Sequence, residues 1–168
     1  MTGLPVVLPC RAVIDPNVFV SALMTKPGSA ALTTAQALAT DHLILVACPY
    51  LLAELSEVAK RTKFRQYFSV EQAELLVAAL ALKAEMHPDP PTGPRVCADP
   101  DDDYLFALAA VADVPLVVSG DRKVLAVQLP SVDVLTPRQL VDRLDELIDG
   151  PLCPAPRQVG PGDHRTPL

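Results

Sequence analysis

The feature that most constrains this chain is an alternation. Four short β-rich runs, "RAVID" (11–15), "LILVAC" (43–48), "PLVVSGD" (115–121) and "VDVLT" (132–136), are separated by segments of helical length. Runs this short and this apolar suit strands buried on both faces. Strands that alternate with helices in turn predict a parallel sheet covered on both sides, a three-layer α/β/α sandwich.

The intervening segments carry their own punctuation. Residues 17–23 and 29–40 read as helices broken by "KPG", and Pro49 opens a helix that runs to about Arg61. Ser69 with Gln72 three residues on forms a capping box for a helix reaching about Ala84. After the proline-rich loop "HPDPPTGPR" (87–95), Asp99 and Pro100 read as N-cap and first residue of a helix ending at Val111 or Ala112. Pro137 starts a last helix to about Ile148. The 18 residues after Gly150 hold five prolines and predict a flexible tail. The expected organisation is an N-terminal extension (1–10), one domain (11–149) and the tail (150–168), which suits 168 residues with half of them hydrophobic.

Net charge is −6, which weighs against a nucleic-acid partner unless the acids are concentrated where bound cations invert the local charge. Cys10, Cys48, Cys97 and Cys153 form no CxxC spacing, so reduced thiols in a cytoplasmic protein are expected rather than a zinc site or a disulfide framework. The longest apolar run, 43–52, contains Pro49 and falls far short of the roughly 20 residues that span a bilayer. No membrane association and no signal peptide are expected.

The acids are indeed concentrated. "ADPDDDYL" (98–105) places Asp99, Asp101, Asp102 and Asp103 within five positions. Ligands of open parallel sheets bind beyond the carboxyl ends of the strands. Asp15 ends the first run and Asp121 follows "LVVSG", so both should emerge at that edge, while Glu54 lies about one turn into the helix after the second run. Acids from four distant parts of the chain would then converge. Such carboxylates cannot all ionise cheaply without cations, and oxygen ligands of this kind suit Mg²⁺ or Mn²⁺. Two such ions, about 3.5–4 Å apart, have an established use in hydrolysing phosphodiesters. Each acid also has a plain structural reading: Asp15 as a helix cap, Glu54 as a surface residue, Asp121 as a turn aspartate.

A calcium loop is excluded. Asp99, Asp101 and Asp103 match its first, third and fifth positions, but the required glycine is Tyr104 and the closing glutamate is Ala110. A haloacid-dehalogenase-type phosphatase would need a second aspartate two residues after the first, where Asn17 stands.

Three ordered motifs, "VIDPNVFVSAL" (13–23), "LLAELSEVAKRTKF" (51–64) and "DPDDDYLFALAAVADVPLVVSGDRKVL" (99–125), resemble the PIN-domain proteins, and among them the toxin components of toxin–antitoxin systems. The resemblance covers about residues 11–145. It implies an α/β/α sandwich that cleaves RNA with Mg²⁺ or Mn²⁺, and an antitoxin as partner. It further implies that Asp15, Glu54, Asp102 and Asp121 are catalytic metal ligands, with Asp99 an outer member and Asn17, Ser21 and Ser119 as polar support. A D-P-x-D pattern selects Asp102, yet helical spacing places both Asp102 and Asp103 above apolar stripes, so Asp103 stays a second candidate ligand. Pro16 stands where the family usually has Thr or Ser, which makes a catalytically weak, PIN-like binding module the rival reading. Lys123 stands where an acid is often found.

"KRTKFRQYF" (60–68) interleaves Lys60, Arg61, Lys63 and Arg65 with three aromatics, a combination suited to phosphates and stacked bases of single-stranded RNA. A solvated helix end with inward aromatics fits it equally well. Arg122 is a further candidate contact. "LLVAALAL" (75–82) is apolar all round and so calls for burial, in the core or in a homodimer interface.

Overall fold

The computed structural model describes residues 9–149; the expected tail, Cys153 and most of the expected extension lie outside them. Five parallel strands form one sheet: β1 (Cys10–Ile14), β2 (Leu43–Ala47), β3 (Glu85–Met86), β4 (Leu116–Val118) and β5 (Asp133–Leu135), in the order β3-β2-β1-β4-β5. Residues on consecutive positions of a strand point to opposite faces. Ala12, Val13 and Ile14 are all buried, so helices cover both faces of the central strand. The expected α/β sandwich with a parallel sheet is what forms.

The helices begin where local chemistry predicts. Asp15 caps α1 (Pro16–Met24) by accepting the Asn17 N–H, and Ser29 caps α2 (Ala30–Ala39). Pro49 opens α3 (Pro49–Ala59), and both halves of the Ser69–Gln72 capping box open α4 (Val70–Lys83). α7 (Pro137–Asp149) starts from a second reciprocal pair, Thr136 with Gln139. The expected helix at Asp99 is two elements: a 3₁₀ turn, Pro100–Asp102, and then α5 (Asp103–Val111). β3 and the short α6 (Arg122–Leu125) were not legible, because two residues and four residues carry no periodicity.

The chain order sets the site. β1 pairs with β2 through Cys10–Leu43 and with β4 through Val13–Val117. Successive crossovers therefore leave β1 in opposite directions, and a crevice opens at the carboxyl ends of β1 and β4, the switch point of the sheet. Among the described residues no helix is long and apolar enough to cross a membrane. Cys10, Cys48 and Cys97 are buried and free.

Candidate functional site

Asp15 leaves β1 at this switch point and is only 2 % exposed. A carboxylate so buried must have its lone pairs satisfied. Its Oδ1 accepts the Asn17 N–H at 2.8 Å, and its Oδ2 accepts the hydroxyl of fully buried Ser119 at 2.7 Å. Ser119 directly follows β4, and its Oγ also accepts the Asp121 N–H at 3.0 Å. One hydroxyl thus ties the two strand ends together. Asp121 in turn caps α6 through the Lys123 N–H at 2.7 Å.

Glu54, one turn into α3, is half-buried, and Tyr104 of α5 donates its hydroxyl to Oε2. Burial pushes the Glu54 carboxyl up, with the charges of Asp15, Asp101 and Glu57 adding to the effect and the Tyr104 bond opposing it. Burial also raises the Tyr104 phenol, as does the Glu54 carboxylate it bonds.

The acid run divides by environment. Asp99 caps the 3₁₀ turn through the Asp101 N–H at 3.2 Å and pairs with Lys123 Nζ at 3.1 Å, which holds its carboxyl below the usual range. Asp103 Oδ1 accepts two main-chain N–H groups, from Val96 at 3.0 Å and Cys97 at 2.8 Å, and so anchors the preceding loop. Asp102 is pushed up to about 6, first by burial and then by the charges of Asp15, Asp99, Asp121 and Glu54. Its carboxyl thus feels the charges of acids from the other three segments. Among the described residues no three Asp, Glu, His or Cys side chains are arranged to hold a metal ion.

Two clefts border these acids. One, of about 300 Å³, is lined by Asn17, Ser21, Gly120 and Asp121. The other, of about 610 Å³, is lined by Tyr50, Arg95, Asp101 and Tyr104 among others. In the basic segment, Phe64 and Phe68 are buried and stacked at 5.8 Å, and Arg65 donates to the Ala59 carbonyl. Lys60 pairs with Glu74 at 3.1 Å. Arg61, Lys63 and Arg122 are exposed. Sequence reasoning passed over Tyr104, read only as the residue that disqualifies a calcium loop, and Lys123, whose partner Asp99 is 24 residues away. Neither contact has a local signal.

A family model described as "PIN domain" matches residues 11–123. The chain is also 24 % identical over 147 residues to the uncharacterized protein MJ1680 of Methanocaldococcus jannaschii, covering 82 % of this chain and 94 % of that protein. The matched span runs from β1 to the start of α6 and so contains Asp15, Glu54, the acid run and Asp121. With the parallel sheet and its acid-lined switch point, this match makes the chain a member of the PIN-domain family, a fold that is generally a nuclease using divalent metal ions.

Proposed function

We propose that the chain is a ribonuclease that hydrolyses RNA phosphodiesters with Mg²⁺ or Mn²⁺ held by Asp15, Glu54, Asp102 and Asp121, with Asp99 as an outer member. What supports this reading is geometric: Asp15 at the end of β1 and Asp121 after β4 meet at the switch point of the sheet, tied by the Ser119 hydroxyl, and burial and neighbouring carboxylates push Asp102 up to about 6. Such a site is short of positive charge, and its hard oxygen donors fit a hard divalent cation. When bound, the metal supplies Lewis-acid charge and a water acidic enough to attack phosphorus. Ser119 keeps Asp15 oriented from the buried side, and the Asn17 N–H holds its other oxygen. Tyr104 holds Glu54 in one direction. Asp103 anchors the loop through Oδ1, which serves two amides, and stays the second candidate behind Asp102.

Pro16 is the first residue of α1 and brings no hydroxyl to the site, while Ser119 holds Asp15 from the buried side, so cleavage activity decides between the nuclease and the binding-module readings. The test is cleavage of assorted single-stranded RNAs in Mn²⁺ or Mg²⁺, with Asp15→Asn and Asp102→Asn reducing the rate by about 10²-fold or more. In the same preparations Mn²⁺ should raise the melting temperature of the wild type and not of Asp15→Asn. Cleavage by the variants at the wild-type rate would sink the assignment, and absence of cleavage by every form would favour the binding-module reading.

The likeness of the three motifs to toxin components supports a cytoplasmic toxin held by an antitoxin. Expression should then arrest growth, and Asp15→Asn should relieve the arrest. Leu75 and Leu82, 70 % and 88 % exposed on α4, support a homodimer through that helix.

A further inference from the structure

The larger cleft has more construction than a surface dent. The four phenylalanines, Phe19, Phe64, Phe68 and Phe106, are all buried, whereas Tyr50 at its wall is 49 % exposed. Its ring meets Tyr104 edge to face, with centroids 4.7 Å apart and planes at 73°. Asp89 fixes the proline-rich loop against it by accepting the Tyr50 N–H at 2.7 Å. Pro90, Pro91 and Pro94 stiffen that loop, which passes Ala107 at Gly93. Arg95 lines the cleft with no hydrogen-bond or ion-pair partner among the described residues. The same is true of the Asp101 carboxylate. Tyr104, which lines the cleft, donates its hydroxyl to Glu54 behind it.

We infer that this cleft is a base subsite, holding the guanine of a single-stranded RNA nucleotide beside the scissile phosphate, stacked on Tyr50. The inference rests on the nuclease reading of the adjoining acids. An exposed aromatic ring that shares a cleft with an unpaired guanidinium is the combination that stacks a base and takes its phosphate. Base identity follows from Asp101. An ionised carboxylate only accepts hydrogen bonds, so it suits a pairing edge made of donors. Guanine offers two adjacent donors there, N1–H and the N2 amino group. Uracil offers one N–H between two carbonyl oxygens that a carboxylate repels.

The test is fluorescence anisotropy with Ca²⁺ in place of Mn²⁺ or Mg²⁺, which keeps the acids cation-loaded while binding is read without cleavage. The probes are a labelled oligouridylate with one central guanosine, the all-uridine oligonucleotide, and guanosine monophosphate as competitor. The wild type should bind the guanosine oligonucleotide about tenfold more tightly than the all-uridine one, and Tyr50→Ala should lose about tenfold, in line with one base stacked on an aromatic ring. Tyr50→Phe should retain the affinity, and Asp101→Asn should erase the preference for guanosine. The inference is overturned if Tyr50→Ala binds the guanosine oligonucleotide within about twofold of wild type, if guanosine brings no gain, or if the free monophosphate binds as tightly as the oligonucleotide. Intact Tyr50-dependent binding with no cleavage in Mn²⁺ would fault the nuclease reading alone. Acid-dependent cleavage indifferent to Tyr50 would fault the subsite alone.

Discussion

Asp102 and Asp103 are adjacent in the chain and opposite in environment. Asp102 has its carboxyl raised from 3.8 to about 6, so the folded protein keeps a proton that the unfolded chain releases. Its contribution to stability is therefore full below about pH 4, falls as pH rises towards 6, and stays unfavourable above. Asp102→Asn should stabilise the metal-free protein by about 1 kcal/mol at pH 7.5, after allowing for solvent screening at this partly exposed position. The gain should vanish near pH 3.5 in urea melts. Asp103→Ala should do the reverse. It strands the amides of Val96 and Cys97 and should cost ~1–3 kcal/mol at neutral pH in the same melts. Asp15 shows why a structural role and a chemical one coexist in one residue: Oδ1 caps α1 and Oδ2 accepts from Ser119, and each carboxylate oxygen keeps a further lone pair.

At the scale of elements, β3 shows how a strand with no sequence signature is held. Glu85 pairs in register with Val46, and its carboxylate accepts from Arg11 Nε at 3.0 Å, from a second Arg11 nitrogen and from His87 Nε2 at 2.8 Å. Arg11 also donates to the Ala112 carbonyl at 3.1 Å, linking β1 to the end of α5. The Arg11 bond, seconded by His87, holds the Glu85 carboxyl down to about 2. Its stabilising contribution is thus present above about pH 4.5 and lost as pH falls through 2. Glu85→Gln should lower stability by ~1 kcal/mol at pH 7, discounted for the exposure of the pair, and the gap to wild type should close as pH approaches 2 in thermal melts. The acid run teaches a related lesson. Helical spacing could not choose between Asp102 and Asp103 because both stand above apolar stripes, and Pro100–Asp102 is in fact a 3₁₀ turn, which advances at three residues per turn before α5 begins.

At the scale of the whole molecule, the expectation that residues 75–82 must be buried is met only in part. Within α4, Ala73 and Leu80 face the core while Leu75 and Leu82 remain exposed. If a second copy covers them, sedimentation equilibrium should show a dimer, and Leu82→Glu should give a monomer whose melting temperature no longer depends on concentration. What could be read from the chain alone was set by neighbours in sequence. That includes the caps at Asp15 and Ser69, the four longer strands, the six longer helices apart from the 3₁₀ start at Asp99, and the residence of acids at strand ends. These depend on spacing, and spacing is written in the sequence. What only the tertiary structure decided was which distant groups touch. Ser119 reaches Asp15 across 104 residues, Tyr104 reaches Glu54 across 50, and Lys123 reaches Asp99 across 24. Those contacts exist because packing of the whole core places β4 beside β1 and lays α5 against both, an order that no local pattern encodes.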